Sequence, residues 1–145
     1  MSLPKPEPGL VIRYAYLWKE EQRSGIEEGR KDRPCAVILT VRSSEDGEHV
    51  LVVPITHTPP KDPSLALEIP PTVKARLNLD DARSWIVYGE GNRFLWPGPD
   101  LRPIPGSHPA EFAYGFLPPK LFAVIKSRMI ARIRARLFGT VARHE

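Results

Sequence analysis

Alternating hydrophobic and polar positions near the start of the chain predict a β-strand. Over residues 10–18 every second residue is large and apolar or aromatic, so these side chains share one face of the strand. Two further apolar runs, rich in valine and isoleucine, predict strands over residues 35–41 and 49–55. The second of these runs is almost continuously apolar, which indicates a strand that is buried on both faces. The Ser-Glu-Asp-Gly segment between the two runs is typical of a hairpin.

The other segments predict short elements and one long helix. Residues 19–32 are charged and contain glycine, so we expect a loop there, and residues 97–109 predict a proline-rich loop. Further short strands are predicted over residues 64–69, 84–88 and 93–96, and a brief helix over residues 72–77.

Apolar residues at helical spacing near the end of the chain predict the long helix. It begins after Pro118 and Pro119 and ends at Gly139. The apolar stripe on this helix consists of Phe122, Ile125, Met129, Ile133 and Leu137. The order of these elements predicts an α+β domain whose antiparallel sheet is strongly curved or forms a partial barrel.

The composition is that of one globular domain. The chain has 145 residues and 41% hydrophobic content, and no apolar stretch approaches the roughly 18 residues of a membrane span. We expect a proline-rich tail over residues 1–8, a single domain over 9–139 and a second tail over 140–145. The N-terminus lacks the apolar core of a signal peptide, and the only cysteine, Cys35, lies in a strand pattern as a small buried hydrophobe. Both features favour a cytoplasmic protein with no disulfide.

The positive charge is concentrated at the C-terminal end. Residues 120–145 contain seven Lys or Arg and a single acid, a net charge of +6, whereas the remainder of the chain carries −2. Arg128, Arg132 and Arg136 follow one another at helical spacing. They are interpreted first as a solvated face that complements the helix dipole, and alternatively as a grip on RNA or an acidic partner.

Polar residues at two strand edges suggest a site for a phosphodiester. Arg33 enters the strand at 35–41, and Thr56 and His57 leave the strand at 49–55. If these strands are antiparallel neighbours, the three side chains meet at one rim of the sheet. An arginine presents a planar fork of donors to phosphoryl oxygens, and the ordinary pKa of an imidazole lies near neutrality, which suits proton transfer.

Four short motifs in a fixed order resemble the MazF/PemK (Kid) family of toxin endoribonucleases. They are Pro-Gly-Leu-Val at 8–11, Arg-Pro-Cys-Ala-Val-Ile-Leu at 33–39, Val-Pro-Ile-Thr at 53–56 and Gly-Phe-Leu-Pro at 115–118. The resemblance implies an SH3-like β-barrel with a C-terminal helix, the fold that this family shares with the gyrase poison CcdB.

The resemblance also implies a reaction. The family's catalytic arginine and threonine fall on Arg33 and Thr56, and the implied chemistry is metal-independent, with no cofactor. A ribose 2′-OH attacks its own phosphate, which gives a cyclic phosphate and a free 5′-OH. His57 is our candidate for proton transfer in that reaction.

The chain departs from the family pattern in the loop before Arg33. Members usually carry a short Glu-Gln-x-Gly-x-Arg-Pro stretch, whereas here Glu21 and Gln22 are separated from Arg33 by a longer loop that adds Arg30 and Lys31. That loop normally shapes the RNA groove, so the family's cleavage-sequence preference is not carried over to this chain. The candidate RNA-binding residues are Arg30, Lys31, Glu90, Asn92, Phe94 and Trp96. The alternatives are a turn or bulge for Glu90 and Asn92, and core packing for the two aromatic residues.

The implied partners are single-stranded RNA, a small acidic antitoxin and a second copy of the chain. No membrane association is expected. Two alternatives remain open at this point. One is a non-catalytic module on the same fold that binds nucleic acid or inhibits gyrase, and the other is a family member that has lost its activity.

Overall fold

The computed structural model describes residues 3–25, 31–43 and 47–143. Within these ranges the chain forms eight strands, three α-helices and one 3-10 helix. The strands are β1 (Leu10–Ala15), β2 (Asp32–Ser43), β3 (Gly47–Thr56), β4 (Ala66–Glu68), β5 (Trp85–Val87), β6 (Glu90–Leu95), β7 (Ala113–Phe116) and β8 (Gly139–Ala142). The helices are α1 (Lys19–Arg23), α2 (Pro71–Arg76) and α3 (Pro119–Arg134), with the 3-10 helix at Pro63–Leu65.

The strands form one strongly curled, largely antiparallel sheet in the order β4-β5-β3-β2-β1-β7. Strand β3 is the central strand of the curled sheet: it pairs with β2 along one edge and with both β6 and β5 along the other. Strand β8 extends the sheet by pairing in parallel with β6. The expected α+β fold with a curved, half-barrel sheet is therefore confirmed.

Both faces of the sheet are covered by apolar side chains. Alternate residues of each strand enter opposite clusters: Val53 packs in one and Val52 in the other, and both are fully buried. The first cluster includes Val73 of α2 and Ile125 and Met129 of α3. The expected double burial of β3 is confirmed.

The expected shared face of β1 is also confirmed. Leu10, Ile12, Tyr14 and Tyr16 lie together in the second cluster, with Trp18 packed against it. Cys35 is fully buried in the same cluster, and this burial raises the pKa of its thiol. A buried thiol with a raised pKa is unreactive, so Cys35 is the small hydrophobe that was expected.

Three segments differ from the sequence expectation. Residues 19–23 form α1 within the expected loop, where Glu21 Oε1 accepts the N–H of Trp18 at 3.0 Å. Strand β7 was not anticipated. Residues 139–142, most of which were assigned to a C-terminal tail, form β8 beside β6, and Arg143 after them is buried.

Helix α3 ends at Arg134, five residues before the expected stop at Gly139. The chain reverses at Arg136, whose φ of 59° is left-handed. The N–H of Leu137 donates to the carbonyl of Arg132 at 2.9 Å, and the N–H of Arg136 donates to the carbonyl of Ile133 at 3.0 Å. This pair of bonds is a Schellman motif with arginine at the position where glycine is usual.

We expect Arg136→Gly to raise the free energy of unfolding by about 1 kcal/mol, because glycine adopts the left-handed conformation without steric cost. Chemical denaturation of both proteins measures this difference. Arg134→Gly is the matched control: it removes the same charge two residues earlier, inside α3, and should lower stability by about 1 kcal/mol. Equal effects from the two variants would contradict the explanation.

A buried polar network attaches the C-terminal segment to the sheet. The Arg143 guanidinium lies 3.0 Å from a carboxylate oxygen of Asp100, and both side chains are at least 95% buried. It also donates to the carbonyl of Ala15 at 2.7 Å and to Oδ1 of Asn92 at 3.1 Å. Asn92 in turn bonds both backbone groups of Leu17, at 2.8 and 2.9 Å. Residues from three distant parts of the sequence are therefore joined inside the fold.

Candidate active site at the rim of the sheet

Arg33 and Thr56 lie near each other because of the register of two strands. Strands β2 and β3 are antiparallel, and Cys35 pairs with Pro54. Arg33 lies two residues before Cys35 and Thr56 lies two residues after Pro54, so both stand just beyond the last pair of this ladder, on the same edge of the sheet. Beyond that pair Arg33 is paired with Tyr14 of β1 and Thr56 with Trp85 of β5.

The two residues border one cavity of about 890 Å³ at this rim. His57 and Glu90 also line it, as does Lys31 just before β2. The sequence-based expectation that a cation, a hydroxyl and an imidazole meet at one edge of the sheet therefore corresponds to a concave site.

The Arg33 guanidinium has no carboxylate partner among residues 3–25, 31–43 and 47–143. Instead its Cζ lies 5.2 Å from the ring centroid of Trp18, which is a cation–π contact. Its Nε is buried and makes no hydrogen bond within those ranges. The neighbouring Asp32 lies near Arg102 instead, at 3.6 Å. Arg33 is thus a positioned cation with donors to spare for an anionic ligand.

Thr56 is held at the end of β3 with little exposure. It pairs with Trp85 of β5, and its Oγ1 accepts the backbone N–H of Thr58 at 3.2 Å. A hydroxyl that accepts one bond still has its own O–H to donate. The Thr56 hydroxyl can therefore present a neutral donor to an oxygen in the cavity.

His57 is paired with an acid that no sequence motif indicates. Its Nε2 lies 2.7 Å from Oδ2 of Asp80, and both side chains are about half exposed. Oδ1 of the same carboxylate accepts from the ammonium of Lys74 at 2.8 Å. Lys74 is almost completely buried, and its hydrogen bond lowers the pKa of Asp80. The carboxylate next to His57 is thus ionised, and Lys74 binds the oxygen that does not face the imidazole.

Glu90, at the start of β6, is a further acid that lines the cavity. Its Oε2 accepts the O–H of Tyr16 and the backbone N–H of Lys19, each at 2.9 Å. Burial raises the pKa of Glu90 in spite of these bonds. Burial therefore favours the protonated form of Glu90.

The raised pKa of Glu90 predicts a pH effect on stability. Ionisation costs more in the folded than in the unfolded chain, so this group lowers the free energy of unfolding once pH rises above its unfolded pKa and through its folded pKa. Glu90→Gln keeps a side-chain oxygen that can accept both hydrogen bonds, and it removes the charge. We expect the variant to gain stability over the wild type as pH rises from acid to neutral, and to match it at acid pH. Denaturation curves across that range measure the difference; a constant difference would contradict this assignment.

The remaining predicted RNA-binding residues divide into three groups. Lys31 is exposed at the cavity, whereas Arg30 lies outside the described residues. Asn92 is fully buried in the Arg143 network, and Phe94 is buried where it stacks on Tyr14 at 4.6 Å between ring centroids. Trp96 is half-buried against the same cluster and does not line the cavity. Asn92 and Phe94 are buried structural side chains in this fold, which corrects the expectation that they bind RNA. The assignment of Trp96 stays a prediction.

Three residues at the cavity were missed by sequence reasoning. Arg13 donates to the hydroxyl of Tyr114 at 3.1 Å, and both line the cavity together with Asp80. Arg13 carried a weak signal, because it is a charged residue within an apolar strand. Tyr114 and Asp80 carried none, since only the curl of the sheet brings β7 and the loop after α2 to this rim.

The charges around the cavity are mixed. Acidic residues (Glu20, Asp32, Asp62, Asp80 and Glu90) are about as numerous as Lys and Arg (Arg13, Lys31, Arg33 and Lys61). This lining differs from an extended positive groove that would attract a polyanion by charge alone.

In the described part of the chain, no group of three or more His, Cys, Asp or Glu residues could hold a metal ion. None of the helices there has the length and apolar character needed to cross a membrane. Comparison of the chain with protein-family models and with curated proteins gave no match.

Proposed function

We propose that the protein is a metal-independent endoribonuclease of the MazF/PemK type, on an SH3-like barrel. One observation carries the proposal. Arg33 and Thr56 stand just beyond the last pair of the β2–β3 ladder, and both line the same cavity with His57. This is the residue pair that the family resemblance implies, and the curled sheet with a C-terminal helix is compatible with the implied fold.

The cavity residues suit attack of a ribose 2′-OH on its own phosphate. The 2′ oxygen forms a bond to phosphorus and the bond from phosphorus to the 5′ oxygen breaks, which yields a 2′,3′-cyclic phosphate and a 5′-OH. His57 accepts the proton from the 2′-OH, and Arg33 and Thr56 donate to the phosphoryl oxygens as charge builds there. Glu90 lines the same cavity and burial raises its pKa, so it is our candidate for returning a proton to the 5′ oxygen.

The helix arginines are occupied by contacts within the chain. Arg128 donates to the hydroxyl of Tyr88 at 3.2 Å, and Arg132 donates to the carbonyl of Leu137 at 3.1 Å. These contacts favour the interpretation of a solvated, structural face over a grip on RNA. We therefore place RNA recognition at the cavity and in the adjoining segment that carries Lys31.

The proposal includes a cytoplasmic toxin that acts as a homodimer and is silenced by a small acidic antitoxin. Large apolar side chains are exposed on α3, on the segments flanking it and on β2, which supports contact with another copy or protein. They are Leu39, Val41, Phe116, Val124, Ile133 and Leu137.

The experiment is incubation of the purified protein with single-stranded RNA in the presence of EDTA. We expect fragments from unmodified RNA and none from the same RNA with 2′-O-methyl groups, because that modification removes the nucleophile. Intact RNA, combined with growth arrest in cells, would overturn the proposal and favour a gyrase-inhibiting module. Intact RNA without growth arrest would favour an inactive member of the fold.

A further inference from the structure

The loop after α2 holds a carboxylate that is bonded on both sides. Oδ1 of Asp80 accepts from the Lys74 ammonium at 2.8 Å and from the backbone N–H of Ala82 at 3.2 Å. Oδ2 faces Nε2 of His57 at 2.7 Å. The Lys74 ammonium also donates to the carbonyl of Ala82. Neither the carboxylate nor the loop that carries it is free to turn away from the imidazole.

The ion pair between His57 and Asp80 contributes little to the free energy of unfolding. An ion pair between side chains that are half exposed contributes about 0–1 kcal/mol. The ion pair between Lys74 and Asp80 is different, because Lys74 is only 5% exposed and Asp80 neutralises its charge. The structure thus fixes Asp80 firmly from the inside, while its outer oxygen engages a side chain that lines the cavity.

We propose that Asp80 is a positioning residue for His57, and that Lys74 anchors it. By accepting the Nε2 proton, the carboxylate selects one tautomer of the neutral imidazole and leaves Nδ1 unprotonated as the base. This inference rests on the proposed function, because it assigns a task to His57 in RNA cleavage. It adds two residues, from the loop and helix before β5, that neither the motifs nor the strand edges indicate.

The kinetic test compares Asp80→Asn with Asp81→Asn. Asp81 is adjacent and exposed, and has no ion pair or side-chain hydrogen bond within the described residues, so its variant is a matched control. We expect Asp80→Asn to lower kcat about 10- to 100-fold with little change in KM, which is typical of losing a group that orients a reactive imidazole. Asp81→Asn should retain wild-type kinetics. Unchanged kcat in Asp80→Asn would overturn the proposal.

The double variant with His57→Ala separates positioning from a general structural role. If Asp80 acts through His57, Asp80→Asn should cause no further loss of kcat in a chain that already lacks the imidazole. An equal further loss would overturn the proposal. Because Asp80→Asn leaves the buried Lys74 without a counter-charge, Lys74→Met/Asp80→Asn provides a second variant in which both charges are removed. It should show the same loss of kcat with wild-type folding.

An NMR measurement tests the positioning without reference to activity. In the neutral form of an imidazole the two nitrogen shifts report the tautomer, so the spectra are recorded at alkaline pH. We expect wild-type His57 to be a single tautomer protonated at Nε2, and Asp80→Asn to show averaged shifts, because an amide can donate or accept. Identical shifts in the two proteins would overturn the proposal. If wild-type protein does not cleave RNA, the proposed function fails, and this measurement still decides the geometry.

Discussion

Arg33→Ala should lower the rate constant of RNA cleavage by about 10³-fold, because arginine supplies the main positive charge to the phosphate in the transition state. The guanidinium is held over Trp18 and has no carboxylate partner among the described residues, so its charge is directed to the ligand. Arg33→Lys should also be strongly impaired, since an ammonium lacks the planar fork of donors. Single-turnover cleavage of a defined RNA measures both effects.

Arg93→Ala is the control for this prediction. Arg93 is an exposed arginine on β6, outside the cavity, so its removal takes the same charge from the chain without touching the site. We expect wild-type cleavage rates from it at the same ionic strength. Equal losses from Arg33→Ala and Arg93→Ala would show that only the overall charge matters, and a fully active Arg33→Ala would remove Arg33 from the mechanism.

Arg143→Met should destabilise the fold by about 3–5 kcal/mol, the range for removing one partner of a buried ion pair. The substitution leaves Asp100 as a buried carboxylate without its cation. It also removes the donor to the carbonyl of Ala15 and to Oδ1 of Asn92. The free energy of unfolding from urea denaturation measures the loss.

Two further variants show whether loss of the buried Arg143–Asp100 pair causes the destabilisation. Arg143→Met/Asp100→Leu removes both charges, so it should recover a large part of the lost stability. Arg134→Met removes an exposed arginine at the end of α3 and should change stability by less than about 0.5 kcal/mol. If Arg143→Met unfolds no more easily than Arg134→Met, the buried network is not what secures the C-terminal segment.

The strand faces could be predicted because their signal is local. Apolar residues at every second position of β1 share a face whatever the rest of the chain does, and they form part of one cluster. The same reasoning placed Arg33 and Thr56 at strand edges. Their proximity then required only that consecutive apolar runs joined by a hairpin pair with each other, which β2 and β3 do.

The errors lie where distant parts of the chain determine the structure. Residues 139–142 form a strand because they pair with the edge of β6. Arg143 is buried beside Asp100, which is distant from it in the sequence. Nothing in the sequence next to Arg143 indicates that partner. The helix end was misplaced because Gly139 is the usual signal, whereas the chain turns at Arg136.

The site was only partly predictable for the same reason. Asn92 is buried because it bonds Arg143 and Leu17, and Phe94 is buried because it stacks on Tyr14, and all three partners are distant in the sequence. Asp80 lies in a polar loop with no motif, and the pairing of β3 with β5 brings that loop beside His57. Local motifs identified the residues at the strand edges, and the fold supplied those around them.

The most direct test of the central claim is the mass of the products that the wild-type protein forms from one defined RNA oligonucleotide in EDTA. Attack by the 2′-OH at the Arg33 and Thr56 site predicts one fragment that ends in a 2′,3′-cyclic phosphate and one that begins with a free 5′-OH. Uncut RNA would contradict that claim, and so would fragments that carry a 5′-phosphate.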